Sequence, residues 1–169
     1  MSKAAALLLF LNASLFAQID ESWLGIWRGK LEIRDNNPGL RDSIPMELHI
    51  SKTDTSGILN WRIIYSDSAK DDRRYLLRTV DVSKGKYVID EKDGILLDAY
   101  LFDNKLISRF EVMKSLLEIT YTLEGDKIIF QVTSGKAEST SVSGSLQDDI
   151  EVRSYSITNV QNAVLYKVQ

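Results

Sequence analysis

Apolar and polar residues alternate along Trp23-Leu24-Gly25-Ile26-Trp27-Arg28-Gly29-Lys30-Leu31-Glu32-Ile33-Arg34. Trp23, Trp27, Leu31 and Ile33 share one parity with Gly25 and Gly29. Arg28, Lys30, Glu32 and Arg34 share the other. A period of two is the mark of a strand with one buried face, so this segment predicts a long half-buried strand. The pattern then repeats. Ile44, Met46, Leu48 and Ile50 stripe the next strand, and Leu59, Trp61, Ile63 and Tyr65 the one after it. Arg73 to Val80 is a strand of poor alternation, and Tyr87 to Ile89 a short one. Ile95 to Phe102, Leu106 to Met113, Leu117 to Leu123 and Ile128 to Val132 follow. Ile150 to Ile157 and Val160 to Val168 complete about eleven candidate strands.

Turn chemistry separates these runs. Asp35-Asn36-Asn37-Pro38-Gly39, Ser56-Gly57, Lys92-Asp93-Gly94 and Glu124-Gly125-Asp126 are turn signals, the Asp-Gly pair suiting the positive φ of a tight hairpin. The low-complexity stretch Ser134 to Ser145 reads as a flexible loop. Short strands about every 8–12 residues, with no helical stripe between them, predict an all-β meander. Closure into a single antiparallel up-and-down β-barrel of about ten strands would remove the exposed edges that an open sheet leaves.

The segment before the first strand differs in kind. Lys3 precedes an apolar run from Ala4 to Phe16, and Ala17 is a small residue suited to cleavage. That is the form of a secretory signal peptide over residues 1–17, with the domain occupying residues 18–169. The run is shorter than the roughly 20 residues a membrane-spanning helix needs, so stable membrane insertion after cleavage is not expected. Export to a bacterial periplasm or the extracellular space is. Losing Lys3 takes the net charge from −3 to −4. This mild acidity, without a basic cluster, argues against a nucleic-acid partner. With no cysteine in the chain, a disulfide scaffold and thiolate metal sites are both excluded.

Gly25-Ile26-Trp27 on the first strand of such a meander resembles the calycin superfamily, which includes lipocalins and fatty-acid-binding proteins. The resemblance spans nearly all of the chain after residue 17. It implies that Trp27 packs at a closed barrel end beneath a basic residue from near the last strand, for which Arg153 and Lys167 are the candidates. No counterpart of the lipocalin helix after the barrel is expected, because the chain is still in a strand at Tyr166-Lys167-Val168. None is expected for the helical lid of fatty-acid-binding proteins either, since Asp35 to Ser43 is too short to form it. The likeness therefore implies a lidless barrel outside the well-described families.

Candidate chemistry is sparse. His49 is the only histidine, and its parity opposes Met46, Leu48 and Ile50, which predicts an outward ring. No second histidine stands at metal-ligand spacing. Asp71-Asp72 and Asp148-Asp149 are adjacent acids, whose side chains diverge in an extended chain. They do not form the convergent pair that acid–base chemistry needs, and the expectation is a non-enzyme with no cofactor. Trp61, Phe110, Tyr121 and Phe130 lie on the inward parity of their strands, as cavity lining or as packing. Arg153-Ser154-Tyr155 is similar to the Arg-x-Tyr pair with which fatty-acid-binding proteins hold a carboxylate, although another strand follows it here. Arg153 thus has three open roles: carboxylate anchor with Tyr155, cap on Trp27, or exposed arginine. The leading expectation is a small apolar ligand, with a carboxylate-bearing lipid as one form. The alternatives are a ligand-free structural or interaction module of the bacterial envelope, and an enzyme of unknown reaction.

Overall fold

The computed structural model describes residues 18–36, 41–65, 71–145 and 150–168. The proposed signal segment 1–17 and the Asp148-Asp149 pair lie outside them. Ten strands close into an antiparallel barrel. Nine follow one another as neighbours: β1 (Gly25–Asp35), β2 (Arg41–Lys52), β3 (Ile58–Tyr65), β4 (Asp71–Asp81), β5 (Lys86–Asp90), β6 (Leu96–Phe102), β7 (Lys105–Val112), β8 (Ser115–Glu124) and β9 (Lys127–Lys136). The chain then leaves the barrel for a separate hairpin, β10 (Ser141–Gly144) with β11 (Glu151–Ser154), before β12 (Asn159–Lys167) returns between β9 and β1.

The closing seam runs from Trp27 opposite Lys167 to Asp35 opposite Asn159. Gly29 sits in it with no room for a side chain: a Cβ there would lie 2.2 Å from the Val164 carbonyl oxygen. Its sequence parity with Trp27 is therefore a packing requirement of the seam. Gly135 plays the matching part where the hairpin departs, since a Cβ would approach the Ser156 carbonyl to 1.7 Å. The Thr158 amide then donates to Ser134 at 2.8 Å, re-entering the sheet beside the point of exit.

Two expectations change here. Trp23 lies in a short 3₁₀ turn, Glu21–Trp23, and the first strand starts at Gly25. The turn is capped by Asp20, whose side chain accepts from the Ser22 amide at 2.9 Å. Ser134 to Ser145 is also no continuous loop. Its first residues complete β9 and its later ones form β10. Their partner β11 is the core of the segment Ile150 to Ile157, which is consequently not a barrel strand.

One pole of the barrel is plugged. Trp23, Trp27, Leu48, Ile50, Leu77, Leu106, Ile128 and Leu165 are buried there or adjoining it. The Trp27 indole N–H donates to the Trp23 carbonyl at 2.9 Å. Lys167 lays its ammonium 4.9 Å from the centre of a Trp27 ring and donates to the Ser22 carbonyl at 3.1 Å. Lys167 is thus the basic residue over Trp27, and Arg153 is not. Outside, cross-strand ion pairs join neighbouring strands, including Arg28–Glu47 at 2.8 Å and Arg78–Asp90 at 2.7 Å. His49 is half-buried on this outer face, its Nε2 2.6 Å from Glu47. No helix among the described residues is long and apolar enough to cross a membrane.

Candidate functional site

Above the plug the interior is hollow. A cavity of about 830 Å³ is bounded by Leu31, Ile63, Ile89, Ile119, Val132 and an aromatic floor. It reaches the surface beside Ile95, Leu96 and Val112, whose side chains are exposed. A ten-strand barrel is wide enough to leave such a space where its inward residues do not meet across the middle.

The floor follows from strand register. Trp61 on β3 faces Tyr75 on β4, and Tyr121 on β8 faces Phe130 on β9. Both pairs point inward and meet across the barrel. Trp61 stacks edge-on against Tyr121, with ring centres 5.1 Å apart and planes at 88°, and Tyr121 leans on Phe130 at 5.1 Å. Trp23 reaches Trp61 from below at 6.3 Å, tying floor to plug. Phe110 lies nearer the mouth. All four predicted aromatics, Trp61, Phe110, Tyr121 and Phe130, are cavity-lining residues.

Arg153 and Tyr155 are elsewhere. Arg153 is on β11, pairs with Glu151 at 2.6 Å, and its side chain is 58% exposed. Tyr155 is 48% exposed just beyond that strand. Neither lines the cavity, so the expected carboxylate anchor does not form there. The physical reason is the hairpin: both of its short strands are exposed throughout, so their parity has no barrel interior to point into.

The polar residues at the mouth were not among the expected site residues. Asp71, Arg73 and Tyr75 alternate inward along β4, with Tyr65 opposite Asp71 on β3. Arg73 grips Asp71 through Nε and Nη2, at 2.9 and 3.1 Å, and its guanidinium lies 4.9 Å from the Tyr65 ring centre. Asp71 and Asp72 do diverge, for Asp72 points outward and binds Arg62 at 2.6 Å and Arg74 at 2.8 Å. The weak alternation of β4 was itself the signal. Its inward positions turn polar where the wall becomes a rim, and Arg73-Arg74-Tyr75 repeats the Arg-x-Tyr spacing inside a barrel strand.

Burial governs the titration of this rim. It pushes the Tyr65 hydroxyl up to about 12, with Arg73 opposing. Burial also raises Tyr75, reinforced by Glu91. Glu91 is raised by burial and then by Asp93. Arg73 is held firmly protonated by its hydrogen bond to Asp71. One guanidinium thus meets Asp71 and Glu91, while Glu111 stands at the same mouth. With its fork already filled, Arg73 offers little to an incoming anion.

Deeper in, burial raises Tyr121 strongly and keeps its hydroxyl neutral. The Trp61 indole N–H lies beside that hydroxyl but outside hydrogen-bond geometry. It is the one fully buried side-chain polar atom among the described residues with no partner. An unmatched buried donor of this sort costs about 1–3 kcal/mol. The described residues hold no cluster of three or more His, Cys, Asp or Glu side chains arranged for a metal ion.

No family model matches the chain, and no curated protein matches it. Among solved structures it resembles a protein of unknown function from the DUF3598 family of Nostoc punctiforme PCC 73102, with a TM-score of 0.63 at 12% identity. The match covers 87% of this chain and 48% of that one, so this chain spans about half the neighbour's length. The two share a fold. The class defined by fold and site is a closed, ten-stranded antiparallel β-barrel with a cavity opening at one end.

Proposed function

We propose that this chain is an exported, lipocalin-like barrel of the calycin type that holds a small, apolar, uncharged ligand. The carrying observation is the cavity of about 830 Å³, walled by aliphatic and aromatic side chains and open at one pole. Such a concavity with a few placed polar groups suits a drug-sized apolar molecule. The acidic rim and the occupied Arg73 fork favour a neutral molecule over a carboxylate-bearing lipid. Binding rather than catalysis is the reading, because Asp71 is tied to Arg73 and Asp72 to Arg62 on the opposite face. Export rests on the sequence of residues 1–17 alone.

The test is mass spectrometry of gently purified protein for a co-purifying apolar compound, alongside titration with diphenylhexatriene. Ile119→Trp should fill the cavity from its wall and abolish binding while leaving the far-ultraviolet dichroism of the parent. A parent that is empty and takes up no probe would overturn the reading. A second reading, an interaction module of the envelope, draws on the hairpin, where Val142, Ile150, Val152, Tyr155 and Ile157 are all exposed. It predicts that deleting the hairpin abolishes a protein contact without affecting probe uptake.

A further inference from the structure

The cavity floor is mostly apolar, and its deepest polar groups lie together. Leu31, Ile63, Phe130 and Val132 surround them, while Trp61 and Tyr121 bring an indole N–H and a hydroxyl to the same place. The other deep polar groups are matched. Trp27 donates to Trp23, and the buried Ser108 hydroxyl donates to the Asp98 carbonyl at 2.8 Å. Trp61 Nε1 is fully buried and makes no hydrogen bond of good geometry, although the Tyr121 hydroxyl stands next to it.

The chemistry of these two groups sets a direction. An indole N–H can only donate, whereas a phenol both donates and accepts. The Tyr121 oxygen is the acceptor that lies beside the Trp61 N–H. With the Tyr121 oxygen accepting from Trp61, the phenol proton is left for an acceptor in the cavity. The floor therefore presents a donor and wants an acceptor.

We infer that the ligand carries a neutral hydrogen-bond acceptor, a carbonyl or ether oxygen, at its buried end, received by the Tyr121 hydroxyl with the Trp61 indole N–H behind it. The inference rests on the ligand-binding reading above and narrows it. Burial keeps Tyr121 a phenol, so the donor persists across the ordinary pH range. A site built to donate a hydrogen bond discriminates against a molecule that cannot accept one, because its buried group is then left unmatched.

Two probes separate the inference from the reading beneath it. One is 6-propionyl-2-dimethylaminonaphthalene, a ketone whose emission shifts to the red when its carbonyl accepts a hydrogen bond. The other is diphenylhexatriene, a hydrocarbon with no acceptor. The parent should bind both, with the ketone emitting as a hydrogen-bonded species. Tyr121→Phe should weaken the ketone about three- to tenfold, as for loss of one neutral hydrogen bond, and shift its emission to the blue. Trp61→Phe should act in the same direction to a smaller extent. Diphenylhexatriene, which makes no hydrogen bond, should lose less affinity than the ketone in either variant. Uptake of the hydrocarbon, with ketone affinity and emission unchanged by both substitutions, would overturn the inference and leave the cavity reading standing. Uptake of neither probe by the parent would overturn both. If a variant fails to fold, the parent's own ketone emission decides: hydrogen-bonded emission supports the inference, and emission typical of dry hydrocarbon overturns it.

Discussion

At the scale of single residues, two side chains carry opposite kinds of information. Trp27 was legible: its parity with Leu31 placed it inside, and the structure buries it completely beneath Lys167. Trp27→Ala should cost about 3–5 kcal/mol, as for other large-to-small core changes. Lys167→Met should cost less, about 0.5–2 kcal/mol, the range of a cation over an aromatic face. Chemical denaturation measures both. Arg73 was not legible, because a charged residue at an inward position looks like a break in the alternation rather than a wall meeting water. Its partner gives a sharp test. Asp71→Asn weakens the clamp on Arg73 and removes a rim carboxylate, so dodecanoic acid should bind more tightly than to the parent. Dodecanol should be unaffected. Isothermal titration of the two ligands distinguishes this from a general change in the cavity.

Elements were read well as strands and less well as members of a sheet. Alternation identifies an extended segment but not what lies on either side of it, so the segment around Arg153 passed for a barrel strand although β11 pairs with β10 alone. Position in a barrel depends on contacts between segments far apart in sequence, and these leave no local mark. The β7–β8 connection was hidden for another reason. Met113 and Lys114 both take left-handed φ, 49° and 64°, in a tight turn that Asn-Gly would normally announce. Met113 is moreover 93% exposed, so nothing is lost by replacing it. Met113→Asn combined with Lys114→Gly should stabilise the protein by about 1 kcal/mol, relieving part of the cost of left-handed backbone. Thermal unfolding reads the gain.

The β3–β4 ladder also predicts a pH dependence. Arg62 first, then Arg74, hold the Asp72 carboxyl down from 3.8 to about 2. A carboxyl with a depressed folded-state pKa stabilises the fold above its ordinary pKa, and that stability drains away as pH falls through about 2. Unfolding curves taken between pH 5 and pH 2 should therefore show an acid-sensitive component that Asp72→Asn removes. Unchanged acid sensitivity in that variant would contradict the role of the ladder.

For the whole molecule, the first and last strands form the closing pair, so the barrel is complete only when the entire domain has been made. Pairings this distant in sequence slow folding relative to local ones. A chain ending at Thr158 lacks β12 and leaves the edges of β1 and β9 unpaired. It should fail to give a cooperative unfolding transition and should aggregate, as sedimentation would show.

The hydrogen bond from the Val168 amide to the Ile26 carbonyl, at 2.8 Å, brings the two extremities of the domain side by side at the plugged pole. Whatever is joined to either extremity, whether a purification tag, a solid support or a second domain, attaches at the base of the cup and not across its opening. Two barrels fused tail to head by a short linker would share a common foot and keep both cavities accessible. A chip-bound sample held by either extremity presents its open side to the passing solution.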